Sequence, residues 1–286
     1  METILIINGE TYWKDFLPNY KVEQKKIQST EWLLKDNQLF VIDQNGVCKP
    51  DKILWRVGAI RPSPKHKTAL DIIQLSGVHC VNSANVLTKG YDRLTMLNVL
   101  KECNLPVIPF NVATTSVQLK NIEIPFPFVV KAGNYHGGFG KVLVDNEEKW
   151  QDIKDLLFIS EDYITIEPFI DYDKDIRYLA IGNKIWAMAR KGKFWKANVQ
   201  TTDFTLIDQE EILVEQTKKL QDYLQADIIA IDILEEKNGN RYFVEYNDIP
   251  GLTGFPDEVQ IELVNCLTNK NSRQHGFVAS GADVSY

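Results

Sequence analysis

The sequence predicts an α/β protein that passes into an α+β arrangement: a small layered unit first, antiparallel hairpins afterwards. Three observations predict it. Thr3-Ile-Leu-Ile-Ile-Asn8 is an unbroken apolar run, the pattern of a parallel strand covered on both faces. A second clear strand, Asp51-Lys-Ile-Leu-Trp-Arg-Val57, is followed by an amphipathic stretch from Pro64 to Leu75, the alternation of a layered α/β unit. In the second half, Gly182-Asn183 and Asn238-Gly239 stand between apolar runs and mark tight hairpins. With 286 residues, 44% hydrophobic and 25% charged, the chain can bury a substantial core and has an ordinary globular composition.

Between the first two strands, Trp32–Leu34 and Gln38–Asp43 alternate as shorter strands about a Lys35-Asp-Asn turn, and Asn45-Gly46 makes another. The helix from Pro64 is amphipathic, with Ala69, Ile72, Ile73 and Leu75 at roughly helical spacing, and ends at Gly77, and Val78–Val81 is a short strand. A single helix is expected from Asn82 to about Glu102, with Leu94, Leu97, Val99 and Leu100 on its apolar face and Pro106 and Pro109 stopping it. Pro127-Phe-Val-Val-Lys131 is a buried strand ending on a lysine. Gly133-Asn-Tyr-His-Gly-Gly-Phe-Gly-Lys141 is a glycine-rich loop running into the strand Val142–Val144. Glycines let backbone N–H groups approach phosphate oxygens, and a lysine supplies a point charge for them. A strand follows this loop where a Walker A loop has a helix, and the competing reading is an ordinary flexible turn.

Glu147–Leu157 is an amphipathic helix. Tyr163–Ile170 is a strand in which Pro168 marks an edge or a strand end, where unpaired backbone groups can hold a planar base. Asp175–Ile181 and Lys184–Arg190 pair about Gly182-Asn183 and carry Arg177 and Arg190. Lys191, Lys193, Lys196 and Asn198 follow, either as a solvated basic loop or as a surface for phosphate and a developing acyl phosphate. Gln209–Leu224 and Glu258–Leu267 are the last helices, and Asn271–Tyr286, without periodicity, is expected to be a disordered tail.

The hairpin about Asn238-Gly239 carries the densest chemistry. A two-residue type I′ turn on that pair sets Lys237 opposite Asn240, Glu235 opposite Tyr242 and Asp232 opposite Glu245, with Asn247 on the face of Glu245. Two carboxylates facing one another on a sheet flanked by Ile231, Ile233, Phe243 and Val244 call for a compensating cation. Hard oxygen donors of this kind suit Mg²⁺, and the competing reading is a solvated polar face.

A net charge of −7 argues against a nucleic-acid footprint or a polybasic membrane surface. There is no apolar run near 18 residues, and Met1–Asn8 enters a strand pattern with no basic region before it, so a cytoplasmic location is expected. Cys48, Cys80, Cys103 and Cys266 are far apart and form no metal-binding pair, which points to buried, reduced thiols. His66, His79, His136 and His275 are likewise scattered, without metal spacing or a Ser-His-Asp arrangement.

In this order of parts the chain resembles the ATP-grasp superfamily, and within it the RimK-type glutamate ligases, glutathione synthetase and the ATP-binding domain of synapsin. The carriers are Val81-Asn-Ser with Tyr91-Asp-Arg-Leu, Val129-Val-Lys131, the loop Gly133–Lys141, Glu167-Pro-Phe-Ile-Asp171, Asp175-Ile-Arg177, Trp195-Lys-Ala-Asn198, Ile231-Asp-Ile, Val244-Glu-Tyr-Asn247 and Pro250-Gly-Leu. Together they cover roughly residues 50 to 268. The resemblance implies an ATP-grasp fold with an N-terminal α/β pre-ATP-grasp domain (1–88), a central lid subdomain with the glycine-rich loop (89–164) and a C-terminal subdomain with the metal site (165–270).

It implies further that Lys131 and Arg93 reach the ATP phosphates while Gly137, Gly138 and Gly140 bring loop amides over them. Glu167, Pro168 and Phe169 would hold adenine, with Asp175 also in the nucleotide-binding set. Asp232, Glu245 and Asn247 would hold one or two Mg²⁺ ions, or Mn²⁺. Arg190, with Arg177 and Asn198, would stabilise the carboxylate, the acyl phosphate and the tetrahedral oxyanion. Arg93 stands where these families usually carry a lysine, and a planar fork replaces a point charge there. The implied activity is ATP-dependent joining of a carboxylate to an amine through an acyl phosphate, with an amino acid, peptide or protein as substrate. The alternatives are a synapsin-like ATP-binding protein without turnover, a macrocyclase or modifier of a ribosomal precursor peptide, and a kinase lacking an acceptor amine. Relatives of this kind are commonly dimers or tetramers.

Overall fold

The computed structural model describes residues 1–269 apart from 59–60, 115–118, 120–122, 159–161, 193–194 and 197–200. Lys193, Asn198 and the tail from Asn271 lie outside the described residues. The strands are β1 (Thr3–Ile7), β2 (Lys21–Lys25), β3 (Glu31–Lys35), β4 (Gln38–Asp43), β5 (Gly46–Cys48), β6 (Lys52–Trp55), β7 (His79–Val81), β8 (Asn111–Ala113), β9 (Phe128–Ala132) and β10 (Lys141–Val144). They continue with β11 (Ile164–Pro168), β12 (Tyr172–Ile181), β13 (Lys184–Gly192), β14 (Thr201–Leu206), β15 (Ile228–Glu236) and β16 (Arg241–Asn247). The α-helices are α1 (Pro64–Ser76), α2 (Ala84–Lys89), α3 (Arg93–Glu102), α4 (Glu147–Phe158), α5 (Glu211–Leu224) and α6 (Glu258–Thr268).

β1 is apolar because parallel partners flank it on both sides, in a sheet of order β2-β1-β6-β7. Leu5, Ile7 and Ile53 face α1, α2 and the small sheet β3-β4-β5. Ile4, Ile6 and Leu54 face the other way, onto α6 and one side of the antiparallel sheet β14-β13-β12-β15-β16. The opposite side of that sheet is covered by α3 and α5, through Leu97, Leu100, Leu213 and Leu220. β15 is thus buried on both faces from Ile228 to Ile233, which explains why this stretch is apolar except at Asp232. Asp232 shares a face with Ile228 and Ala230 but lies past the part that α6 covers, where the sheet opens into a cleft. A third antiparallel sheet, β10-β9-β11-β8, packs on α4 through Phe128, Val130, Val144 and Trp150 and forms the other wall.

Three expectations are corrected. The single helix from Asn82 to Glu102 is two helices, because Ser83 and Asp92 are both N-caps: Asp92 accepts the Thr95 N–H at 2.9 Å and starts α3. α3 then packs on the five-stranded sheet. The Asn238-Gly239 turn is not a two-residue type I′ turn. The Glu236 N–H donates to Asn240 O and the Gly239 N–H to Glu236 O, both at 2.9 Å, closing a three-residue loop in which Gly239 alone has positive φ, +87°. That loop spares Asn238 a left-handed conformation and sets Glu235 opposite Arg241, where the sequence predicts Tyr242. A β-bulge at Val244 then adds the residue back, so Asp232 does lie opposite Glu245. Third, β2, β5, β8 and β14 were not anticipated: β5 and β8 are only three residues long, and β2 and β14 are charged or polar along much of their length.

Pro168 proves to be a strand end. β8 covers β11 only from Ile164 to Ile166, so on that side Glu167 and Pro168 have no strand neighbour among the described residues. Among the described residues no helix is long and apolar enough to cross a membrane. All four cysteines are buried and none of them forms a disulfide.

Candidate active site

The cleft is built from cross-strand registers. In the five-stranded sheet Arg177 on β12 lies opposite Asp232 on β15, and Asp232 lies opposite Glu245 on β16, so one cation and two carboxylates form a row across three strands. Two residues along β12, Asp175 lies opposite Arg190 on β13 and therefore faces the same way. Arg177 clamps Asp232 with two hydrogen bonds, Nε to Oδ1 at 2.7 Å and Nη2 to Oδ2 at 2.8 Å. Arg190 donates to Asp175 through Nε at 2.8 Å and lies 3.2 Å from Asp232 Oδ1. Asn247 Nδ2 lies 3.4 Å from Asp232 Oδ2.

The opposite wall carries lysines. Lys131 on β9 and Lys141 on β10 are directly opposed, a pairing of like charges that needs outside compensation. Each finds it: Lys131 pairs with Glu167, and Lys141 Nζ reaches across to Glu245 Oε2 at 3.3 Å. Arg93, buried in the first turn of α3, approaches the same oxygen at 3.5 Å. The glycine-rich loop joins the two lysine strands. At Gly140 (φ +67°) a Cβ would lie 2.9 Å from the Ala132 carbonyl oxygen, so the closure of the loop requires glycine. Lys196 Nζ holds the Gly138 carbonyl at 3.0 Å, and Gly137 lines a hollow beside Asn247. Asn134, from the same loop, accepts the Arg93 N–H at 3.1 Å and so ties the loop to the start of α3.

Burial and charge set the protonation states. Burial drives Lys131 down to about 8, against the upward pull of Glu167 and with Arg93 and Lys141 adding to the fall. For Glu245 burial alone would raise the pKa, but Lys141, Arg93 and Lys131 together bring it far below the usual carboxylate range. Asp232 is similarly lowered against burial by Arg177 and Arg190, whereas burial lifts Asp175 to about 6 with a further push from Asp232. Arg190 stays protonated: burial opposes its charge, and Asp232 and Asp175 outweigh burial. Asp248, three residues beyond Glu245, forms no ion pair among the described residues, and burial lifts it to about 7.

The cleft encloses about 620 Å³ of space, open solvent at its mouth included, the size of a small-molecule site. Lys131, Glu167, Pro168, Phe169, Asp175, Arg190, Asp232 and Glu245 line it, and Phe169 meets Trp195 edge-on at 6.3 Å between ring centroids. Arg177 and Asn247 line an adjoining hollow with Arg190 and Glu245. Of the residues expected at the site, Asn198 falls outside the described ones. Among those described, no group of three or more His, Cys, Asp or Glu side chains forms a metal cage. Two ionised carboxylates beside an amide nevertheless fit Mg²⁺, which takes one or two carboxylates and completes its shell with phosphate oxygens and water. Sequence reasoning did not place Lys141 or Asp248 at the site. Lys141 could have been found from the hairpin register, which puts it on the face of Lys131, whereas Asp248 carried no signal.

Comparison with known proteins bears on the family and the fold. Residues 94–267 match the family described as the synapsin ATP-binding domain. A glutamate–LysW ligase from Sulfolobus acidocaldarius is 23% identical over 233 residues, 75% of this chain and 81% of the relative. The RimK domain ATP-grasp protein of Sphaerobacter thermophilus superposes with a TM-score of 0.71 at 15% identity, over 94% of this chain and 100% of that one. A RiPP-associated ATP-grasp ligase from Chryseobacterium gregarium, solved with ADP and a leader and core peptide, gives 0.67 at 12% identity, over 93% and 96% of the two chains. The fold is the ATP-grasp fold, and with 174 of its 286 residues inside the match (94 to 267 inclusive) the chain belongs to the family of the synapsin ATP-binding domain.

Proposed function

We propose that the protein is an ATP-dependent carboxylate–amine ligase that forms an amide bond through an acyl phosphate and releases ADP and phosphate. The observation that carries this reading is the meeting of the row Arg177, Asp232, Glu245 with the lysine pair Lys131 and Lys141 across one cleft. The lid wall is rich in positive charge and suits a polyphosphate. Beside it stand two ionised carboxylates, for a divalent cation, and two arginines, for the acyl oxygens.

In this reading Lys131 and Arg93 bind the phosphates, the loop at Gly137, Gly138 and Gly140 covers them, and the unpaired side of Glu167 and Pro168 with Phe169 receives the adenine. Asp232, Glu245 and Asn247 would hold Mg²⁺, and a bound ion would supply charge neutralisation for the phosphates. Arg190 and Arg177 orient the donor carboxylate, one oxygen of which attacks the γ-phosphorus as the bond to ADP breaks. The amine lone pair then attacks the acyl carbon. The C–O bond to phosphate breaks with its electron pair, and the amine's proton leaves to water. Positioning and charge neutralisation account for the acceleration without a dedicated base. Asp175 serves by holding Arg190. We place the protein in the cytoplasm, where ATP is supplied and thiols stay reduced. We divide the chain into an N-terminal domain (1–88), a lid subdomain (89–164) and a C-terminal subdomain (165–270), and the gathering of β1, β2, β6 and β7 into one sheet supports the first of these.

Purified protein with Mg-ATP and a panel of carboxylates and amines tests the proposal: ADP release that requires the amine is expected. A second reading, ATP binding without turnover, is favoured by the family matched, and tight ATP binding with no ADP release across the panel would replace the first with it.

A further inference from the structure

The cleft does not end at Asn247. Arg190 and Glu245 line both the nucleotide-sized cleft and the next hollow; Gly137 and Asn247 line both that hollow and a third, which reaches Trp55 in the N-terminal sheet. The three adjoin in series and differ in charge. Lys131 and Lys141 face the first, and Arg177 and Arg190 face the second. Among the described residues lining the third there is no lysine or arginine; its one carboxylate is Asp248, set among Trp55, Val57, Leu70, Leu87 and Ile249.

Asp248 is held firmly. Its carbonyl oxygen accepts from Asn82 Nδ2 at 2.7 Å, and the buried Asn82 also bonds the backbone of Ile228, donating at 2.7 Å and accepting at 2.9 Å. Its carboxylate lies against Gly90, where a Cβ would come within 2.1 Å of Oδ2, so the close approach depends on the absence of a side chain there. Among the described residues this carboxylate makes no ion pair; the groups that hydrogen-bond to it are backbone N–H groups, its own and that of Ile249.

From this charge sorting we infer that the third hollow is the acceptor site of the ligase, and that Asp248 recognises an amine borne on an apolar body with no carboxylate beside it. The inference rests on the ligase reading and names its second substrate. A partly desolvated carboxylate without a cation is unfavourable until one arrives, and an ammonium group meets that need. The same carboxylate accepts a hydrogen bond from the amine once it has shed its proton to water. An acidic acceptor such as glutamate would instead bring a second negative charge to a wall with no lysine or arginine, and is rejected. The donor carboxylate is drawn to the middle hollow by Arg177 and Arg190, which leaves the two substrates on either side of Asn247.

The test is calorimetric titration of the full chain, loaded with Mg²⁺ and a non-hydrolysable ATP analogue, with leucinamide, phenylalaninamide and glutamate. Leucinamide and phenylalaninamide are expected to bind at least tenfold more tightly than glutamate. Asp248→Asn should weaken leucinamide by about tenfold or more with nucleotide affinity within twofold, and Gly90→Ala, which displaces the same carboxylate, should act in the same direction. Tighter binding of glutamate, or leucinamide affinity unchanged within twofold in Asp248→Asn, overturns the inference. Asp248-dependent amide binding without amine-dependent ADP release would keep the site and end the ligase reading. Amine-dependent ADP release with glutamate preferred would do the reverse, and neither signal would end both.

Discussion

The two walls of the cleft balance buried charge in opposite ways. On the lid wall Lys131 has one carboxylate partner, Glu167, and two like-charged neighbours, Arg93 and Lys141, and its pKa falls to about 8. On the five-stranded sheet Arg190 stands between two carboxylates, Asp175 and Asp232, and holds its proton. The first wall is short of negative charge and is completed by a ligand that brings it. The second is internally balanced, so its arginines keep their geometry whether or not a ligand is present. A lysine on a flexible stem suits the first task and a guanidinium fork the second.

Glu245 links the walls, and its loss should have the largest effect. Glu245→Gln is expected to lower turnover about 10²–10³-fold with the fold retained, as read by ADP release beside a thermal melt; near-normal turnover would remove Glu245 from the site. Arg190→Ala breaks the balanced wall, leaving Asp175 and Asp232 to share Arg177. It should cost about 3–5 kcal/mol in urea unfolding and abolish product while sparing ATP affinity. Lost ATP binding with product chemistry intact would move Arg190 to the nucleotide side.

The unbalanced wall predicts a pH effect. Polyphosphate favours charged Lys131, so ATP affinity should weaken by up to about tenfold per pH unit above pH 8, with a flat profile in Lys131→Arg. For folding the sign reverses. A lysine whose pKa is about 8 folded, against the ordinary 10.5, makes the native state relatively more stable as pH rises through that interval. Smallest is the hairpin turn: Gly239→Ala, at φ +87°, should cost about 1–2 kcal/mol in a melt and leave turnover unchanged, because the bulge at Val244 separates the turn from Asp232 and Glu245.

The legible parts were those in which a short segment decides its own conformation. The Asp36-Asn37 turn forms with both residues at positive φ, and α1 ends at Gly77 in the left-handed region, as their sequences predict. The Asn238-Gly239 turn looked equally local and was not, since a three-residue loop served the same pair. Asp232 still met Glu245 only because of a bulge that no residue at Val244 announces. The single helix expected over Asn82–Glu102 failed for a local reason that was present, the capping residue Asp92, but was hidden inside an otherwise helical run.

By itself the sequence determined which strands are buried on both faces, where the phosphate-suited glycines lie, and which acids and bases alternate onto one face of a strand, because period and turn chemistry act over a few residues. Tertiary structure alone decided that Lys141 crosses the cleft to Glu245, that Arg93 joins them from the head of a second helix, and that Asp248 lies in an apolar hollow without a cation. These pairings span up to 152 residues of chain, and their energies depend on how sheets pack and exclude water.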